Sequence, residues 1–203
     1  MVKLTLKPIP DLQQIKGISF PGDITFRQLL VTGPPGCGKS TLVERLNGWP
    51  DEGYIDLSFN KWWTAQSLSL RPRQVHLGIP YTDHEDAYAV FDQEWIALEQ
   101  SPTIAYERVQ IPPEKHRFYQ VNWRKRYVFE FLLPPAEEIF NRRLKRRGKG
   151  THVVDSAIDE QLIRRQCEAY MLIGHHLQQQ GVYCYLRKDI DAQPEQIIGL
   201  SEE

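Results

Sequence analysis

The chain has 203 residues, 41% of them hydrophobic and 25% charged, with a formal net charge of −1. That length suffices for one buried core and one domain, 1–203, and the near-neutral charge argues against a general nucleic-acid binder. Three cysteines without CxxC spacing, lysines breaking up "MVKLTLKPIP", and no apolar run approaching a membrane span lead us to expect a cytoplasmic protein with free thiols and no membrane partner.

In chain order, "VKLTLKPI" alternates polar and apolar residues and predicts an N-terminal edge strand. "TFRQLLVTG" predicts a buried strand, and a helix follows from Gly38 to Leu46, stopped by Gly48 and Pro50. "GYIDLSF" reads as the next strand, whereas Lys61 to Pro80 reads as irregular. Thr82 and Glu85 fit a capping box, and Tyr88, Phe91, Trp95 and Leu98 behind it share one face of a predicted helix. "TIAYERV" and "YVFEFLL" read as strands, with the segment between Pro112 and Arg126 open between helix and hairpin. A helix is expected from Pro135 to Gly148, and a longer one from near Ser156 to Gly181, capped by Asp159. "VYCYLRK" reads as the last strand. Alternating strands and helices imply a three-layer α/β domain. Its mostly parallel central sheet would hold five strands, near 27–32, 53–58, 103–108, 127–133 and 182–187.

The most informative stretch is Gly33-Pro34-Pro35-Gly36-Cys37-Gly38-Lys39-Ser40-Thr41, which matches G-x-x-x-x-G-K-[ST] between a strand and a helix. Main-chain N–H groups from Gly36 to Thr41 can cradle a phosphate chain at the positive end of the following helix. Pro34 and Pro35 lack that donor and precede the amides concerned. Lys39 is expected on the β- and γ-phosphates and the Ser40 hydroxyl on Mg2+, with Gly33, Gly36, Cys37, Gly38 and Thr41 completing the nucleotide site. Alkylation of Cys37, inside the loop, is expected to block nucleotide binding.

The phosphate loop near the N-terminus, the order of elements and the late basic segment resemble the small P-loop kinases: nucleotide, nucleoside, shikimate and gluconate kinases. The likeness runs from about Thr25 to Lys188. It implies a three-layer P-loop NTPase fold, ATP as phosphoryl donor, Mg2+ as cofactor and a small-molecule acceptor. Its second carrier is "YVFEFLLPPAEEIFNRRLKRRGKG", similar to the strand, helix and arginine-rich lid of those kinases, which places a lid at about 142–155. Arg142 pairs with Arg146 on one helix face, and Arg143 with Arg147 on another. We take Arg142 and Arg146 as the phosphate-facing pair, stabilising charge on the transferring group.

Asp56 resembles the acceptor-orienting aspartate that ends the second core strand in shikimate- and gluconate-kinase-like proteins. Glu107, with Arg108, resembles the acidic-arginine pair that ends the third strand in deoxynucleoside kinases, which implies substrate binding by both and makes Glu107 a candidate for the Mg2+ side, with the division of metal and acceptor roles between Asp56 and Glu107 left open. For both acids, an ordinary surface position at a strand end is the other reading. Arg71 and Arg73, in "LRPRQVH", are placed to clamp an anionic group of the acceptor, with His76 as a hydrogen-bonding partner. His175 and His176 lack partners of metal-ligand spacing and are expected to be structural or surface residues. Two other classes stay open. One is a slowly hydrolysing NTP switch; the other is a nucleic-acid-processing protein using the aromatic and basic residues of "KHRFYQVNWRKRY".

Overall fold

The structure, a computed structural model, describes residues 2–23, 28–48, 54–56, 73–76, 94–97, 108–111, 127–150, 155 and 158–201. These residues form a mixed α/β arrangement around a seven-stranded sheet. In chain order the strands are β1 (Leu4–Pro8), β2 (Leu12–Ile15), β3 (Ile18–Pro21), β4 (Gln28–Thr32), β5 (Tyr54–Asp56), β6 (Arg73–His76), β7 (Glu94–Ala97), β8 (Arg108–Ile111), β9 (Tyr127–Leu132), β10 (Tyr183–Arg187) and β11 (Glu195–Leu200). The helices are α1 (Lys39–Asn47), α2 (Ala136–Arg147) and α3 (Glu160–Gln179).

The large sheet runs β1-β11-β10-β9-β4-β6-β5. Its five strands from β10 to β5 pair in parallel, and β11 and β1 extend it antiparallel. The N-terminal strand therefore does lie at an edge. β2 and β3 form a separate antiparallel pair, joined by Lys16 and Gly17, both at positive φ.

β4 and β9 are buried along their whole length, as expected of parallel strands covered on both faces. Side chains alternate between those faces. Leu29, Val31, Val128 and Leu132 join Leu42, Val43 and Leu46 of α1 in one apolar cluster, together with Ile18 and Phe20 of β3. Each such side chain stabilises by roughly 1.5–3 kcal/mol on burial, which anchors α1 under the sheet. On the opposite face Phe131 meets α3, where it and Tyr170 stand edge to face with centroids 6.4 Å apart. Asp159 caps α3 as expected, accepting from the Gln161 N–H at 2.9 Å.

Several expectations are corrected. The fifth parallel strand is β6, from the stretch read as irregular; it inserts between β4 and β5. Residues 103–107 lie outside the described residues, and Arg108–Ile111 belongs to a separate two-stranded sheet with β7. Trp95, assigned to an aromatic helix face, lies in β7 opposite Gln110; the rest of that helix lies outside the described residues. Here cross-strand pairing wins over the helical spacing, and Trp95 and Ile96 are residue types that favour strands. β10 is followed by β11, not by the chain's end. Among the described residues no helix is long and apolar enough to cross a membrane.

The strand order reverses direction between β4 and β9. From β4 the chain passes through α1 toward β5, on one side; from β9 it passes through α2 and α3 to β10, on the other. Connections leaving two neighbouring parallel strands in opposite directions open a crevice at their carboxyl ends. The loop 33–38 fills that position.

Candidate functional site

Thr32, fully buried, ends β4, and the chain turns through Gly33, Gly36 and Gly38 at φ of +148°, +85° and +108°. Two main-chain hydrogen bonds hold the turn among the described residues: the Cys37 N–H donates to the Pro34 carbonyl at 3.3 Å, and the Leu42 N–H to the Gly38 carbonyl at 3.0 Å. The N–H groups of Gly36, Gly38, Lys39, Ser40 and Thr41 meet no acceptor among the described residues. The α1 N-terminus has no side-chain cap and no acidic residue in its first turn. A helix start left this way concentrates positive potential on unsatisfied donors.

Lys39 bends back across the loop, its Nζ donating to the carbonyls of Gly33 at 2.7 Å and Pro34 at 3.0 Å, 3.7 Å from Cys37 Sγ. Cys37 is fully buried. A thiol reagent must therefore open the loop before reaching it, which refines the expectation of a simple alkylation block.

Three arginines of α2 lie near the loop's rear. Arg142 donates from Nη1 to the Cys37 carbonyl at 3.0 Å, and from Nη2 to Glu138 at 3.0 Å and Asp189 at 3.2 Å. The Ile190 N–H, followed by Arg142 and Arg45, holds the Asp189 carboxyl below its ordinary range, against burial that pushes it up. Arg143 is fully buried; its Nε donates to Asp155 at 3.0 Å. Arg146 donates to both oxygens of Asp155, through Nη2 at 2.8 Å and through Nε. Burial pushes the Asp155 carboxyl up, but the hydrogen bonds and charges of Arg146 and Arg143 outweigh it and hold the carboxyl below its usual value. Of the two arginines expected at the phosphates, Arg142 reaches the loop, while Arg146 is held by Asp155. The segment expected as a lid begins as helix through Arg147, and Asp155 at its other end pairs with Arg143 and Arg146 of that helix.

The loop after β10 straps across the same place. Asp189 pairs with Arg142 of α2, and Asp191 with Arg45 of α1 at 2.8 Å. Between them Ile190 abuts Gly38, where a Cβ would stand 2.8 Å from Ile190 Cδ1. Arg187, buried with Glu130, donates to the carbonyls of Ser19, Ile190 and Ala192 and so fixes the strap's base.

Asp56 ends β5 at the carboxyl edge of the sheet, two strands from β4, or roughly 10 Å across at the usual strand spacing. His76 ends β6 beside it. Arg73 starts β6 at the level of Leu30, short of the loop by the length of a strand end. Arg108 starts β8 in the separate small sheet. Arg71 and Glu107 lie outside the described residues. His175 and His176 are half-buried on α3, and burial, then the neighbouring His176, pushes the His175 imidazole pKa down. Among the described residues no three His, Cys, Asp or Glu side chains gather as a metal site.

Sequence reasoning missed Asp155, Asp189 and the buried Arg143. One signal was available for the first: a lone aspartate soon after a six-cation run is the nearest counter-charge for any cation that becomes buried. Comparison with family models, with curated proteins and with solved structures finds no match.

Proposed function

We propose that the chain is an ATP- and Mg2+-dependent phosphotransferase of the P-loop kinase type, acting on a small hydroxyl- or phosphate-bearing acceptor. The observation that carries this reading is the set of five N–H groups between Gly36 and Thr41 that meet no acceptor among the described residues, at a helix start beyond the ends of two oppositely connected strands. Lys39 exchanges its two carbonyl partners for β- and γ-phosphate oxygens. Arg142 carries a guanidinium to the same loop, where it offsets charge on the transferring group. Asp56 lies on the same sheet edge and orients the acceptor. The acceptor oxygen attacks the γ-phosphorus, the bond to the bridging oxygen of ADP breaks, and the hydroxyl proton passes to the Asp56 carboxylate. Ser40, exposed in the first turn of α1, and a strand-end carboxylate are the donors suited to Mg2+, which supplies charge neutralisation between the β- and γ-phosphates.

A second reading, a slowly hydrolysing switch, is favoured by one observation: β6, the parallel strand beside β4, ends in His76 instead of a carboxylate. The nucleic-acid reading rests on residues 115–127, all but the last outside the described residues. The test is coupled ADP release across a metabolite panel, with Lys39→Ala as control. Rapid turnover only with one small molecule supports the kinase, and slow turnover accelerated by a protein supports the switch. Absence of ATP or GTP binding at millimolar ligand with Mg2+ sinks both.

A further inference from the structure

We infer that Asp155 is a positioning residue for the phosphate loop, acting through the buried stem of Arg143; the inference rests on the nucleotide-binding reading above. Gly36 sits at φ +85°, and a Cβ built on it would lie 2.6 Å from Arg143 Cγ, 3.2 Å from Arg143 Cδ and 3.5 Å from Ile139 Cγ2. The middle of the loop therefore rests directly on the aliphatic carbons of one arginine. That arginine is fully buried, and its Nε is fixed by Asp155 Oδ1 at 3.0 Å. Asp155 is itself 1% exposed and is shared with Arg146, whose side chain is 26% exposed.

A guanidinium buried at that depth is stable only with a charged, hydrogen-bonded partner. Asp155 supplies it and thereby sets where the Arg143 stem runs. The loop's amides gain affinity only if they converge before the ligand arrives, because ordering them during binding costs free energy. Arg146 secures the carboxylate from the solvent side, so the rear of the loop is closed by an Arg–Asp–Arg cluster that never touches the nucleotide.

The test measures ATP dissociation constants by calorimetry, with Mg2+, for wild type, Asp155→Asn, Arg143→Met and their double variant. Circular dichroism confirms each is folded at the working temperature. The expected result is binding weakened ~10-fold by Asp155→Asn, with the double variant no weaker than Arg143→Met alone, as two residues on one route require. Arg164→Ala, which breaks an exposed pair with Glu160 on α3, leaves the constant unchanged. A folded Asp155→Asn protein with wild-type affinity overturns the inference alone; wild-type protein that binds no ATP defeats it together with the proposed function. If Asp155→Asn fails to fold, Arg143→Met decides in its place: weakened ATP binding upholds the inference, and a folded protein with wild-type affinity overturns it.

Discussion

Gly33→Ala tests whether the loop's entry is fixed by its neighbour in the sheet. A Cβ at Gly33 would stand 2.4 Å from the Leu132 carbonyl oxygen of β9 and 2.9 Å from Cys37 Sγ. Ordinary contact begins near 3.4 Å, so the backbone oxygen would have to retreat by about 1 Å. Leu132 pairs with Arg187 of β10, and Phe131 beside it with Thr32 of β4, so that retreat would strain the ladders at the end of β9. Alanine at φ +148° adds a backbone penalty of about 1–2 kcal/mol, and overpacking adds about 1–3 kcal/mol. The sum, about 2–5 kcal/mol, translates for a chain of this size into a melting temperature lowered by roughly 4–20 °C. Thermal unfolding followed by circular dichroism, with and without ATP and Mg2+, measures it. A variant melting within about 1 °C of wild type would show that the strand end yields freely, and the reasoning about a rigid loop frame would fail.

Arg142→Ala removes the donor to the Cys37 carbonyl, a side chain that is already 36% exposed. Stability should change by less than about 1 kcal/mol, while phosphoryl-transfer kcat falls by roughly 10²–10³, measured by thermal melting beside coupled ADP release. The thiols should resist alkylation in the native state. Cys37 and Cys184 are fully buried, and burial pushes the Cys167 thiol up to about 12 and the Cys184 thiol up as well. Iodoacetamide at neutral pH is expected to label the folded protein slowly and all three thiols in urea, read by mass spectrometry. The carboxyls of Asp155 and Asp189 are held below their ordinary value of 3.8 in the folded state, so the unfolded chain binds more protons there. Their contribution is complete above that value and is lost as pH falls through the lowered native pKa values. Urea midpoints followed downward in pH should therefore drop in acid, and Asp155→Asn should flatten the drop. Glu130→Gln leaves Arg187 buried without its charge partner and should destabilise by about 3–5 kcal/mol in urea unfolding, whereas Glu130→Met with Arg187→Met should cost less.

The elements legible in the sequence were those whose local chemistry and tertiary role agree. β4, α1, β9 and α3 combine a strong apolar pattern with a turn or cap that reads the same way alone as in the fold; Asp159 and Gly48 are examples. β6 was missed because "RQVH" has one apolar residue and proline just before it. Its place between β4 and β5 comes from partners, not from its own periodicity. Trp95 erred in the opposite direction: its 3-4-3 spacing from Tyr88 to Leu98 points to a helix, whereas its own residue type and its partner strand favour pairing. Within the site, the glycines and Lys39 were readable because the motif fixes their relation locally. Which arginine reaches the loop was not: a helical projection groups Arg142 with Arg146, but the burial of Arg143 and the position of Asp155 decide their roles.

Each glycine of the loop is matched by a different element from the far half of the chain. Leu132 of β9 faces Gly33, Arg143 of α2 lies under Gly36, and Ile190 of the β10–β11 strap lies against Gly38. A side chain at any of the three would meet a neighbour at 2.8 Å or closer, and all three have positive φ. The loop's curvature is thus imposed from outside as much as permitted from within. Glycine makes the conformation accessible, and three contacts remove the alternatives. Those contacts are in turn fixed by ion pairs: Arg143 by Asp155, the strap by Arg142–Asp189, Arg45–Asp191 and Arg187–Glu130. The exposed pairs among them are worth little singly, and the buried ones cost desolvation that an apolar core would not. Their common location behind one loop fits the proposed function, in which the loop's amides converge before a ligand arrives.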